Sequence, residues 1–104
     1  MNRLTALELY KLDPNLLYSI EAASRLARVP RRLIALYCQR ELVAPVMDPD
    51  TGGWYFNDEG VRTLRRIEYL RTACEMNLTA IKMIINLTAE VERLREEVRN
   101  LRRF

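Results

Sequence analysis

Apolar residues recur in heptads along the C-terminal quarter of the chain. Ile84, Leu87, Val91, Leu94, Val98 and Leu101 follow one another at alternating intervals of three and four, the a/d repeat of a coiled coil. No glycine or proline interrupts residues 77–104, so the spacing predicts one long helix whose apolar stripe requires a partner helix. A second copy of the chain is the expected partner, giving a homodimer. Ile84, Val91 and Val98 occupy a, and Leu87, Leu94 and Leu101 occupy d, a distribution that favours two parallel strands. Glu90 and Glu97 at g, with Arg95 and Arg102 at e, agree with that direction.

Upstream, the pattern changes element by element. Within residues 1–16, Leu4, Leu7, Leu9 and Leu12 fit a short helix or an extended arm that stops at Asp13-Pro14. Ser19 reads as an N-cap, and Ala22, Ala23 and Leu26 line one face of the helix it starts. Arg28-Val29 makes a short turn. Pro30 suits the first turn of a second helix, where Leu33, Leu36 and Tyr37 recur at helical spacing up to about Arg40. Two short helices joined by a tight turn form a helix-turn-helix candidate. Residues 42–46 then read as extended, residues 48–53 as a turn, and Trp54, Tyr55 and Phe56 as a returning strand. In this hairpin, or wing, Trp54 and Phe56 are expected to seal the core while Tyr55 points outward. An exposed aromatic there would instead mark a partner surface. Asn57 caps a third helix with the inner stripe Val61, Leu64, Ile67, Leu70 and Cys74, and Asn77 caps the last helix. Its residues Leu78, Ile81 and Ile85 are expected to pack back on the core.

The predicted fold is therefore mainly α: a winged helix-turn-helix with a short β-hairpin wing, followed by a long C-terminal dimerisation helix. The expected divisions are an N-terminal arm at 1–16, the winged domain at 17–76 and the coiled coil at 77–104.

Composition narrows the function classes. The 104 residues carry a net charge of +3 and a sequence pI near 9.1, a mild excess that permits nucleic-acid binding without requiring it. Lys11 and Lys82 are the only lysines among 17 basic residues. The arginine bias suits bidentate contacts to phosphates or guanine edges, and it equally suits a solvated face in an arginine-rich proteome. Histidine is absent, and no glycine-rich phosphate loop or cysteine beside a base is present, so nothing supports catalysis. Cys38 and Cys74 stand alone in helical apolar patterns and read as small core residues rather than metal ligands or a redox pair. No metal or other cofactor is expected. No apolar run reaches membrane-spanning length, and the expected location is cytoplasmic.

The motif order resembles the MerR family of winged helix-turn-helix regulators. Tyr18-Ser19-Ile20-Glu21-Ala22-Ala23 is similar to the family's opening. Leu26-Ala27-Arg28-Val29 is similar to its Leu-Ala-Gly-Val turn, and Leu42-Val43-Ala44-Pro45 to its Leu-Leu-x-Pro close. Within the family, residues 75–94 resemble the heat-shock repressor HspR. The Trp54-x-Phe56 wing, which has no arginine, resembles CbpM, a relative that binds a J-domain co-chaperone. The resemblance implies a dimer of antiparallel helices, against the parallel pairing that the heptads favour, so strand direction stays open.

Two functions follow as expectations. One is a dimeric DNA-binding regulator, HspR-like, of chaperone genes, reading a two-fold operator. The other is a CbpM-like modulator that binds a J-domain protein. For the first, Arg25, Arg28, Arg31, Arg32 and Arg40 cluster on or beside the two short helices, with Arg28, Arg31 and Arg32 at the tip of the second, where major-groove contacts are made. Tyr37, which retains an aromatic of the family's second helix, joins them as a candidate DNA contact. The family's Arg-Thr-Leu-Arg-Tyr-Tyr-Glu becomes Arg32-Leu33-Ile34-Ala35-Leu36-Tyr37-Cys38, and the wing Trp54-Tyr55 replaces a basic pair. Several of the family's phosphate contacts are thus missing. No sensor segment follows the heptads in this sequence, so regulation is expected through a protein partner or dimer stability.

Overall fold

The computed structural model describes residues 16–103. Strand β1 (Tyr18–Ser19) runs directly into helix α1 (Ile20–Ala27), and a tight turn leads to helix α2 (Arg31–Gln39). Strands β2 (Val46–Met47) and β3 (Trp54–Phe56) make a hairpin, and helices α3 (Asp58–Thr72) and α4 (Leu78–Leu101) follow. This is a mainly α winged helix-turn-helix with a long helix at its end, as the patterning predicts. The arm expected at residues 1–16 lies outside the described residues except for Leu16. Among the described residues no helix is long and apolar enough to cross a membrane.

Local chemistry sets the helix starts. The Ser19 hydroxyl accepts from the Ala22 N–H at 3.2 Å, the Asn57 side chain from Gly60 at 2.8 Å, and Asn77 from Ala80 at 2.8 Å. Each bond satisfies one of the amide donors that a helix leaves unpaired at its first turn. Pro30 stands one residue before α2 rather than inside it, and its carbonyl accepts from Leu33 and Ile34 at 2.9 and 3.1 Å. The exits of α1, α2 and α3 share another device. Arg28 (φ 60°), Glu41 (φ 61°) and Glu75 (φ 54°) turn the chain in the left-handed region, where glycine is the usual residue.

The sheet holds a third strand that the sequence reading lacks. Its order is β1-β3-β2, antiparallel throughout, with Tyr18 opposite Phe56, Ser19 and Val46 opposite Tyr55, and Met47 opposite Trp54. Two-residue strands carry too little alternation to be seen in a pattern. The extended stretch expected at 42–46 also shifts. Only Val46 and Met47 pair with β3, while Leu42 and Val43 are buried loop residues. The hairpin turn closes through Asp48, whose N–H donates to the Gly53 carbonyl at 3.0 Å and whose carbonyl accepts from Gly52 at 2.7 Å. Gly52 has φ +72°, a conformation costly for side-chain-bearing residues.

One core joins these elements. Ala23 and Ala27 of α1, Val29 of the turn, and Ile34 and Tyr37 of α2 meet Phe56 of β3. Val61, Leu64 and Ile67 of α3 and Ile81 of α4 complete it, and no polar residue among those described is buried. Two expectations fail here. Cys74 is exposed, because α3 ends at Thr72 and the turn carries Cys74 off the inner stripe. Trp54 is 41% exposed while Phe56 is fully buried. The two share a sheet face, but β3 runs past the edge of the core at Trp54.

Helix α4 leaves the domain. Leu78, Ile81 and Ile85 face the core, but every described residue from Ala89 onward is exposed. At 1.5 Å per residue, its 24 residues span about 36 Å. The heptad stripe Leu87, Val91, Leu94, Val98 and Leu101 is open to solvent, and Ile84 is half-buried.

Candidate nucleic-acid interface

The helix-turn-helix gathers its arginines because the residues beneath them are committed to the core. On α1, burial of Ala23 and Ala27 turns Glu21 and Arg25 outward. On α2, burial of Ile34 and Tyr37 turns Arg31, Arg32, Ala35 and Gln39 outward. The turn between them is fixed by two bonds to Ser24. Its carbonyl accepts from Val29 N–H at 3.1 Å, and its hydroxyl donates to the Val29 carbonyl at 2.6 Å. Val29 is buried as a result, and Arg28, the left-handed residue before it, is exposed.

Four of the candidate side chains therefore lie exposed on the helix-turn-helix: Arg25 in the last turn of α1, Arg28 in the turn, and Arg31 and Arg32 in the first turn of α2. Tyr37 does not join them. Its ring is fully buried and its hydroxyl donates to Glu68 Oε1 of α3 at 2.9 Å. Tyr37 shares the α2 face of Ile34, so it holds the helix on the domain and its side chain is not available to DNA. The wing residues divide as well: Trp54 is exposed, Tyr55 half-buried and Phe56 buried.

The electrostatics of the α2 start are unusual for a helix. Its first turn contains no acid and two arginines, and its N-cap, Pro30, offers no side-chain acceptor. Cations at the positive end of a helix are locally unfavourable by about 0.3–1 kcal/mol each. One compensation is Glu21, which pairs with Arg31 at 3.2 Å across the motif. Both side chains of that pair are half or more exposed, so the pair is weak and open to exchange for another anion. The Leu33 and Ile34 amides are taken by the Pro30 carbonyl, so Arg31 and Arg32 are the exposed cationic side chains at this helix start.

Two features lie beyond the sequence pattern. Gln39 and Ala35 share the outward face of α2 with Arg32, a stripe implied by the spacing once Ile34 and Tyr37 are recognised as its inner face. The role of Glu68 was hidden because its partners come from different elements: Tyr37 from α2, and Arg71, which donates two bonds to it at 3.0 and 2.8 Å. The lone Cys38 is half-buried on α2, and burial pushes its thiol up from the usual range. That leaves it a poor nucleophile. Among the described residues, no cluster of three or more histidine, cysteine or acidic side chains is placed to hold a metal ion.

Comparison with known proteins gives two results. The family model described as "MerR HTH family regulatory protein" matches residues 18–88. Among solved structures, the chain is similar to HiNmlR, described as a MerR family regulator lacking the sensor domain and bound to promoter DNA. The TM-score is 0.64 at 17% identity, over 84% of this chain and 71% of that one. At that identity the likeness is one of fold. No curated protein matches the sequence.

Proposed function

The chain belongs to the MerR family of helix-turn-helix regulatory proteins, and from that premise we propose that it is a homodimeric, DNA-binding transcription regulator. One observation carries the proposal. Arg31 and Arg32 stand exposed at the positive end of α2, with Arg28 and Arg25 beside them and no acid in that first turn. The arrangement costs the isolated domain stability and is repaid by a polyanion. The neighbouring fold bound to promoter DNA supports the same use of the motif.

In this reading α2 enters the major groove with its N-terminus toward the bases. Arg31 and Arg32 contact guanine edges or phosphates, Arg28 and Arg25 contact the backbone, and Gln39 lies one to two turns further along the same face. Residues 17–76 form the reading domain and residues 77–104 the dimer helix, paired along Ile84, Leu87, Val91, Leu94, Val98 and Leu101. Two copies read a two-fold operator. The likeness of residues 75–94 to HspR makes chaperone genes the first operators to examine.

Fluorescence anisotropy against promoter fragments tests the proposal. Affinity should fall steeply with salt. Arg31→Ala or Arg32→Ala should weaken binding by about 1–3 kcal/mol. Absence of binding at low salt would overturn the reading.

A second reading is favoured by the wing, which contains no lysine or arginine where a DNA-flanking hairpin has use for one. It makes the protein a CbpM-like modulator of a J-domain co-chaperone. Gentle purification from the native cells separates the two readings: a stoichiometric J-domain protein without enriched DNA supports the second, and one enriched palindromic promoter supports the first.

A further inference from the structure

The wing is the most apolar exposed surface outside the heptad stripe. Met47 is 59% exposed, Leu17 45%, Trp54 41% and Val46 37%. The sheet register divides them between two faces. Val46 and Ser19 flank Tyr55 on one face, and the alternation along β1 places Leu17 on that side. Met47 and Trp54 are opposite one another on the other face, at the free end of the hairpin. An open groove of about 420 Å³ is lined by Leu17, Val46, Met47, Asp48, Pro49 and Tyr55. Among the described residues, strand β2 pairs only with β3.

The charge around this surface is the reverse of that on the helix-turn-helix. Glu41 pairs with Lys82 and Asp58 with Arg62 away from the groove, whose own lining holds Asp48 and no lysine or arginine. Asp48 is in the groove wall, and Asp50 is exposed in the adjoining turn. An acidic rim repels a phosphate backbone. An apolar groove with a polar rim has the anatomy of a protein contact, and Tyr and Met, both in this lining, are side chains enriched at such contacts.

We infer that the outer wing is a docking surface for a protein segment that inserts apolar side chains into the Leu17–Met47–Tyr55 groove and sets basic residues against Asp48 and Asp50. The occupant is a basic, apolar segment of another protein, chosen by this charge complementarity. The lining of the groove includes none of the arginines of α1 and α2. The inference rests on the same wing that favours the J-domain reading and names the chemistry of the partner that surface would take. Its test uses a defined peptide, so failure of either leaves the other to be judged alone.

The probe is a synthetic 12-residue peptide of alternating leucine and lysine. One control replaces lysine with glutamate, and the other replaces leucine with serine. Each is titrated into the full-length isotope-labelled protein and followed by NMR. The leucine–lysine peptide should bind at least tenfold more tightly than either control, with amide shifts centred on Leu17, Met47 and Tyr55. Met47→Ser and Val46→Ser should each weaken it at least fivefold without changing the circular dichroism, and Asp50→Asn should weaken it at low salt. Equal affinity for either control, shifts centred on residues 87–101 or on α2, or no binding at millimolar peptide would overturn the inference. So would assembly beyond the dimer that Met47→Ser abolishes, which would assign the surface to another copy of this chain.

Discussion

The Tyr37 hydroxyl of α2 donates to the Glu68 carboxylate of α3 at 2.9 Å. Arg71 grips the same carboxylate with two further bonds. The candidate recognition helix is thus held on its scaffold by a polar clasp at the margin of an otherwise apolar core. Tyr37 is a positioning residue, and its aromatic identity serves packing.

Tyr37→Phe keeps the ring and removes the bond. Glu68 retains Arg71, so no buried group is left without a partner. The expected cost is about 1 kcal/mol in chemical denaturation, against about 3–5 kcal/mol for Tyr37→Ala, which also opens a cavity. Anisotropy should show that Tyr37→Phe changes DNA affinity far less than Arg32→Ala does. An equal loss would return Tyr37 to the interface.

The clasp also sets a pH dependence. The bonds from Arg71 hold Glu68 below its ordinary carboxylate value of 4.5, with the Tyr37 bond adding to them against the opposing effect of burial. A depressed folded-state pKa contributes stability that is present above the unfolded value and is lost as pH falls through the folded one. Tyr37 is pushed above its ordinary 10.0 by burial first and by the Glu68 bond second, so its contribution is lost as pH rises past that value. Urea midpoints from pH 7 to pH 2 should fall more for the wild type than for Glu68→Gln. From pH 9 to pH 11 they should fall more for the wild type than for Tyr37→Phe. Parallel curves in either pair would remove the clasp from the account.

Much of this fold was legible because its signals are local. Ser19, Asn57 and Asn77 cap the helices they precede, and the spacing of Val61, Leu64 and Ile67 identifies the inner face of α3. The failures have physical causes of a different kind. Strand β1 exists only through pairing with β3, a relationship between residues nearly forty positions apart in sequence. Trp54 follows the alternation of its strand but passes the end of the core, and alternation carries no information about where a core ends. Tyr37 matches an aromatic of the family's second helix, but its spacing from Leu33 and Ile34 suits the inner face on which it is buried. Arginines 25, 28, 31 and 32 were legible as exposed groups because charge is seldom buried. Their convergence at one helix start needed the turn geometry around Ser24 and Val29.

The left-handed residues separate stability from binding. Arg28 and Glu75 hold φ values of 60° and 54°, and a side-chain-bearing residue pays about 1–2 kcal/mol there. Replacement by glycine removes that strain and adds about 0.4–1 kcal/mol of unfolded-chain entropy cost. Arg28→Gly and Glu75→Gly should each raise stability by about 0.5–1 kcal/mol, seen as a thermal midpoint a few degrees higher. Only Arg28→Gly should weaken DNA binding. Loss of affinity in both variants would mean that backbone placement, not the guanidinium, governs the contact.

The proposed dimer seam carries the last prediction, the direction of its strands. Glu90 and Glu97, the residues that favoured parallel pairing, both pair with Arg93 of their own helix, and that competition weakens the cross-strand pattern. The geometry of the reading domains argues for antiparallel strands. Helix α4 spans about 36 Å, and each domain packs at its N-terminal end. Antiparallel pairing sends the two domains to opposite ends, near the roughly 34–36 Å that separates half-sites one helical turn apart. Parallel pairing crowds both at one end. In the fully overlapped antiparallel register Ile84 meets Leu101 of the partner, Leu87 meets Val98, and Val91 meets Leu94. Protomers carrying Ile84→Cys or Leu101→Cys, each in a Cys38→Ala, Cys74→Ser background, should be mixed and oxidised. The mixed disulfide should dominate, and Leu101→Cys alone should remain uncrosslinked. Efficient crosslinking of Leu101→Cys to itself would establish parallel strands, and a monomer in sedimentation equilibrium at tens of micromolar would remove the dimer altogether.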